Sequence, residues 1–215
     1  GLGDVYKIQV LDISYDGQKI YVSAINEKLK NDDCYYLILY AYDLKTKKWQ
    51  DIFKSNPCIA KGPFTIIGGR ITHNEENIYL SGGNFFSLEW YPYKFDGFPH
   101  NNKKVNTYST YSKLISSTNI FGSIVQINKK TNISKKISFG HRNPGGLFYD
   151  KYRNILWETE HGPRGGDELN IIKKDKQYGW PDVSYGTSYR KKLKVDFKTQ
   201  YNSHLDFEVP VFSWV

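Results

Sequence analysis

Short runs rich in Ile, Val, Tyr and Phe alternate with polar Asp-Gly, Asn and Lys-Thr stretches along this chain, and no long amphipathic helix stands out. Runs of this length and composition, bounded by turn residues, mark strands. Residues 10–14 are followed by Tyr15-Asp16-Gly17-Gln18 and then 19–25, and residues 34–43 by Lys45-Thr46-Lys47 and then 48–53. Asp-Gly and Lys-Thr pairs between strand-like runs read as turns, so these runs predict four strands joined as hairpins. The unit then recurs. Ile13 and Ile20 lie seven residues apart, as do Ile71 and Ile78, and Phe148 and Ile155. The second strand of each unit reads Ile20-Tyr21-Val22-Ser23, Ile78-Tyr79-Leu80-Ser81 and Ile155-Leu156-Trp157-Glu158. Asn128-Lys129-Lys130-Thr131-Asn132 repeats the turn at Leu44-Lys45-Thr46-Lys47-Lys48.

Unit starts 58 and 77 residues apart make the repeat loose, with insertions. The expected fold is all-β: a β-propeller of four-stranded antiparallel blades, of which residues 1–215 form one partial domain of about three blades. A two-sheet sandwich also fits the alternation. Residues 84–119 break the rhythm and are expected to form a long loop, either walling a site or an insertion without structure. Residues 190–204 are polar and Lys-rich and predict a second loop, whereas 209–215 reads as a strand.

Composition narrows the class. Hydrophobic residues make up 39% and aromatics 16%, enough for a packed core and unlike a disordered chain. No apolar run reaches the roughly 18–20 residues that span a bilayer, and no segment has the charged-then-apolar layout of a secretory leader. Met is absent, so a processed chain or a piece of a longer one is expected. The net charge of +8 comes from dispersed Lys, without the basic stripe and stacking aromatics that nucleic acid requires. Cys34 and Cys58 suit no zinc spacing. They either close one disulfide loop of about 24 residues, worth on the order of 3 kcal/mol, or are two buried thiols.

The chemistry concentrates in Phe139-Gly140-His141-Arg142-Asn143-Pro144-Gly145-Gly146, then Glu160-His161-Gly162-Pro163-Arg164-Gly165-Gly166-Asp167-Glu168, then Tyr178-Gly179-Trp180-Pro181. Glycine lets backbone amides and carbonyls approach a ligand. Arg142 offers a fork for carboxylates and Asn143 an amide for ring carbonyls. Carbonyls of Gly162 and Pro163 suit Ca2+, a hard cation that takes six to eight oxygens. Each also has a structural reading: Arg142 paired with Glu158 or Glu160, Asp167 and Glu168 capping a turn, His141 and His161 as core histidines.

Together these motifs resemble the soluble pyrroloquinoline-quinone-dependent sugar dehydrogenases, the glucose/sorbosone dehydrogenase family, most closely over residues 121–186. The resemblance implies a six-bladed propeller within the usual range of 4–8 blades, of which this chain would be about half. It implies that Arg142 and Asn143 contact the quinone with Asp167 beside it, and that Gly162 and Pro163 give carbonyls to a Ca2+ bridging the cofactor. Glu168 and the Tyr178 carbonyl would match a second, structural Ca2+ site. Arg70 would match an Arg near the catalytic turn. In the implied reaction Ca2+ and an Arg polarise a quinone carbonyl, a His takes the proton of the sugar hydroxyl, and hydride passes to the quinone. A small-molecule sugar, a separate electron acceptor and a periplasmic or secreted location follow from the same resemblance.

The sequence departs from the family at the base. The His expected four residues before Arg70 is Ile66. The Gly-Asp turn reads Gly82-Gly83-Asn84, and Gly145 stands where Gln is frequent. His73 falls three residues past Arg70, near a hairpin turn. Another residue then serves as base, or the chemistry differs, or the protein is a non-catalytic propeller that binds a quinone, sugar or protein partner.

Overall fold

A computed structural model describes residues 8–27, 34–56, 59–60, 67–84, 120–180, 182–187 and 201–214. Within them the chain folds into three antiparallel sheets. The first is a meander of β1 (Ile8–Tyr15), β2 (Lys19–Glu27), β3 (Cys34–Asp43) and β4 (Lys48–Lys54), with the short β5 (Ile59–Ala60) on the start of β3. The second runs through β6 (Gly68–His73), β7 (Asn77–Gly82), β8 (Ser123–Asn128) and β9 (Ser134–Phe139). The third holds β10 (Pro144–Asp150), β11 (Ile155–Glu160) and β12 (Asp167–Ile171). β13 (Lys176–Gln177) then pairs in parallel with β9, a 3-10 helix covers Tyr201–Asp206, and β14 (Phe212–Trp214) completes the third sheet against β12.

The four strands expected over residues 10–53 are β1 to β4, and the repeat is real in three dimensions. Ile13 pairs with Val22, Ile71 with Leu80 and Phe148 with Trp157, the same register in each opening hairpin. Their turns share one device. The Oδ1 atoms of Asp16, Asn74 and Asp150 each accept from the backbone amides two and three residues on, as do those of Asp43 and Asn128 in later hairpins. Lys47, Asn132 and Asn154 then take positive φ to lead into the next strand.

The sheets pack in series through their first strands, β6 lying between β1 and β10. The Ile71 amide donates to Asp12 (2.9 Å), and the Tyr149 amide to the Thr72 hydroxyl (3.2 Å). One core fills the space between sheets one and two around Leu37, Leu39, Ile78 and Phe121; another lies between sheets two and three around Ile124, Leu156 and Tyr178. Each fully buried Leu or Ile contributes about 1.5–3 kcal/mol.

Two cores between three sheets overturn the two-sheet sandwich. The described sheets form an open series, not a closed ring. The loop expected over 190–204 is corrected at its end, where residues 201–206 are helical. The expected terminal strand is present as three residues, 212–214. Of the long stretch 84–119 only Asn84 lies within the described residues, and Cys58 and Ile66 lie outside them.

Candidate functional site

The second and third sheets meet at the turn that follows β9. Gly140 takes φ 81°, and a Cβ there would meet the amide nitrogens of Tyr178 and Gly179 at 2.9 Å, so only glycine turns the chain here. The next three residues are held by their backbones. The His141 amide donates to the Gly122 carbonyl (3.0 Å), the Arg142 carbonyl accepts from Asn84 (2.8 Å), and the Asn143 carbonyl accepts from His161 (3.0 Å). The turn after β11 is equally tight. A Cβ on Gly162 would lie 2.2 Å from the Gly166 carbonyl oxygen, and the Gly162 amide donates to Asp167 Oδ1 (3.0 Å).

Arg142 joins the two turns. Its amide donates to Glu160 Oε2 (2.6 Å), while its guanidinium Nη1 reaches the carbonyls of His161 (2.8 Å) and Gly162 (2.6 Å). The guanidinium lies 5.4 Å from the Trp180 ring, a cation–π distance. The side chain is buried, and it lines a small pocket with Glu160, Gly162, Pro163, Glu168 and Tyr178. Six of the residues that the sequence singled out, Glu160 included, thus converge.

A group of acids adjoins the pocket, and two of them, Glu160 and Glu168, line it. Glu158 pairs with Asn170 across β11 and β12, and Glu160 with Glu168, so all four side chains share one face. Asn170 Nδ2 lies 3.0 Å from Glu158 Oε2 and 3.3 Å from both Glu160 Oε1 and Glu168 Oε2. Burial, then the Glu160 charge, holds the Glu158 carboxyl well above the usual carboxylate range, against an opposing hydrogen bond from Asn170. The same causes push Glu168 up to about 9. His141 is fully buried, with Nδ1 3.6 Å from Glu160 Oε1 and Nε2 2.9 Å from Ser138 Oγ. Its ring stacks on Tyr178, whose hydroxyl is pushed up by burial and bonds the Ile171 carbonyl (2.5 Å).

The other expected site residues stand apart from that pocket. Asn143 is half-buried and does not line the pocket, and Asp167 holds the Gly162 amide while its Oδ2 lies 3.4 Å from His161 Nδ1. Arg70 is on β6 and donates from Nη1 to the Leu11 carbonyl of β1 (3.0 Å), while its amide donates to Ser81. Asn84, in the Gly-Asp position, is buried and serves the Arg142 turn through its backbone. His73 bonds Ser14 on β1 (2.9 Å). Sequence reasoning named Glu158 and Glu160 only as partners for Arg142 and did not identify Asn170. The signal was available: two acids two residues apart on one strand, opposite Glu and Asn two apart on the next.

This geometry has relatives. The Glucose / Sorbosone dehydrogenase family model matches residues 3–215. The aldose sugar dehydrogenase YliI of Escherichia coli is 44% identical over 77 residues, 36% of this chain and 20% of that protein. Quinoprotein glucose dehydrogenase B of Acinetobacter calcoaceticus is 39% identical over 79 residues, 36% of this chain and 16% of its own length. Among solved structures, the apo form of the soluble E. coli aldose sugar dehydrogenase superposes with a TM-score of 0.63 at 22% identity, covering 92% of this chain and 54% of that one. The PQQ-bound aldose sugar dehydrogenase of Streptomyces coelicolor gives 0.57 at 20% identity, covering 100% and 56%. This chain therefore spans about half the length of those solved relatives. With the family model matched almost from end to end, the repeated hairpins and the Arg142 and Gly162 turns have one source: the chain belongs to the glucose/sorbosone dehydrogenase family.

Proposed function

We propose that this protein is part of a sugar dehydrogenase that uses pyrroloquinoline quinone and Ca2+. The observation that carries the reading is the Arg142–Gly162 junction: a buried arginine whose amide is held by Glu160 and whose guanidinium is held by the His161 and Gly162 carbonyls, beside a backbone turn too tight for any side chain. The donor set fits the cofactor. A guanidinium and the Asn143 amide suit a planar polycarboxylate, and the carbonyls of Gly162 and Pro163 suit a hard cation. Arg142 occupies one lone pair of the Gly162 carbonyl, so a cation there would use the second or displace the guanidinium toward the cofactor. When bound, the quinone supplies the hydride acceptor and Ca2+ a Lewis acid.

The chain's own residues would do the rest. Arg142 and Asn143 hold the cofactor, and Asp167 fixes the Gly162 amide so that the carbonyl side faces the pocket. Glu168 and the Tyr178 carbonyl hold the structural Ca2+, and Arg70 stays with the catalytic turn across β6. With Ile66 at the usual base position, His161 is the candidate proton acceptor. Its side chain is 65% exposed, and Asp167 beside Nδ1 leaves Nε2 to accept from a sugar hydroxyl. A sugar substrate, a separate electron acceptor and a periplasmic or secreted setting belong to this reading. Among the described residues no helix is long and apolar enough to cross a membrane.

Ile66 favours a second reading, a propeller that binds the quinone, a sugar or a protein without oxidising sugar. Titrating the protein with pyrroloquinoline quinone, with and without Ca2+, and then adding aldoses and an electron-accepting dye separates the two. Ca2+-dependent binding with dye reduction is expected. Binding without turnover would establish the second reading, and no binding would overturn the cofactor assignment of Arg142, Asn143 and Asp167.

A further inference from the structure

The three sheets repeat one another closely enough to compare position by position. Ser23, Ser81 and Glu158 each stand three residues after the aligned Ile20, Ile78 and Ile155, and Ile25, Gly83 and Glu160 five after. Their partners on the next strand are Leu39, Ile124 and Asn170 for the first set. For the second set, Ile25 faces Leu37, Gly83 bonds Gly122, and Glu160 faces Glu168. The same patch is therefore Ser, Ile and two Leu in sheet one, and Ser, Ile and two Gly in sheet two. In sheet three it is three Glu and one Asn. Fold alone does not call for carboxylates here, because two copies of the same architecture pack without them.

The polar atoms of this patch are not satisfied by one another. Asn170 Nδ2 faces three carboxylate oxygens with two N–H bonds to give. Glu158 Oε1 and Asn170 Oδ1 are buried without a hydrogen-bond partner, and so is Nδ1 of the fully buried His141. That nitrogen is aimed at the acids, 3.6 Å from Glu160 Oε1 and 4.0 Å from Glu158 Oε2. Both separations are too long for a hydrogen bond. The shorter one is near the roughly 3.4 Å edge of a tetrahedron with ~2.0–2.1 Å metal–ligand bonds, and the ligand atoms of His141, Glu158 and Glu160 all lie within 4.8 Å of one another, a spread that a bound ion would draw in. The far side of the ring completes the pattern. Nε2 lies 2.9 Å from Ser138 Oγ, which can accept its proton and leave the Nδ1 lone pair facing inward, and Tyr178 stacks on the ring and holds its plane. Metal-ligating histidines are oriented by such outer contacts.

We infer that His141, Glu158 and Glu160 form a buried site for a divalent transition-type cation such as Zn2+. All three residues are buried, and none of them is among the Ca2+ ligands proposed above. Imidazole with carboxylates selects this class, whereas Ca2+ takes six or more oxygens. A dication would also offset the crowding of three acids in one buried patch.

Co2+ is the probe, because its visible absorption reports ligation geometry. Metal-depleted protein is titrated with Co2+ in saturating Ca2+. One Co2+ per chain is expected, displaced by Zn2+ and not by further Ca2+. His141→Gln and Glu158→Gln each abolish that binding, and Ser138→Ala weakens it about 10-fold. Glu168→Gln keeps it. Circular dichroism checks that each variant folds; should His141→Gln unfold, Glu158→Gln decides, since it keeps the shape and removes a carboxylate ligand. No Co2+ bound under saturating Ca2+, displacement by Ca2+, or unchanged binding in a folded Glu158→Gln overturns the site. None of these outcomes depends on the quinone, so this site and the dehydrogenase reading stand or fall separately.

Discussion

Arg142 is fixed at both ends, its amide on Glu160 and its guanidinium on the His161 and Gly162 carbonyls. A side chain so held has little entropy left to lose on binding, which suits it to grip an anionic ligand. A hydrogen bond to a charged group contributes about 1.5–3 kcal/mol, so Arg142→Ala is expected to weaken pyrroloquinoline quinone binding about 10- to 100-fold in a fluorescence titration. Arg142→Lys recovers only part of this, because an ammonium cannot make the bidentate contact. His161 is tested by a different readout. His161→Gln lowers kcat about 100-fold or more while the quinone affinity stays put; equal losses in both would assign it to binding instead. At this scale the sequence spoke clearly where one turn singles out its residues, as at Arg142, which joins two turns, and at Gly162, where a Cβ would meet the Gly166 carbonyl. It spoke less clearly at Glu158 and Asn170, whose meaning depends on which strands pair and in what register.

Single elements are stitched by their turns, and one turn also ties two sheets together. Asp16 closes the β1–β2 hairpin through its Oδ1 and receives Lys129 Nζ from the β8–β9 turn on Oδ2 (2.7 Å), with the Tyr21 hydroxyl alongside (2.8 Å). Burial pushes this carboxyl up, but Lys129, Tyr21 and the amides of Lys19 and Gln18 together hold it well below its ordinary value of 3.8. A carboxyl with a depressed folded pKa adds stability above its unfolded pKa and loses it as pH falls toward the folded one. Asp16→Asn is therefore expected to cost about 2 kcal/mol at pH 7. The gap between the two proteins should shrink steadily below about pH 4. Thermal unfolding of both at several pH values measures it, and a gap independent of pH would assign the loss to the turn alone. These hairpins were legible because Asp and Asn accept turn amides wherever they stand. The two-residue strands β5 and β13 and the helix at 201–206 were not, since they carry no period of their own and depend on the strands and segments they lie against.

As a whole molecule, the described chain has a well-buried middle and two apolar flanks. Sheet two is covered on both sides by the cores it shares with its neighbours. Sheets one and three each have one face packed on sheet two and another that carries exposed apolar residues. Ile13 is 64% exposed on β1, Phe148 63% on β10 and Trp214 52% on β14. Exposed apolar patches of this kind mark contact surfaces. Solved relatives about twice as long superpose on this series, which is consistent with further sheets packing against such flanks. The 215-residue chain by itself is therefore expected to self-associate with rising concentration in sedimentation velocity. Ile13→Lys combined with Phe148→Lys should suppress that association. Because neither side chain belongs to a core, the pair should change unfolding stability by no more than about 0.5 kcal/mol per site. If the double variant associates like its parent, the flanks are not the contact. If it loses stability instead, those residues are already packed in solution, and the open series of sheets closes on itself.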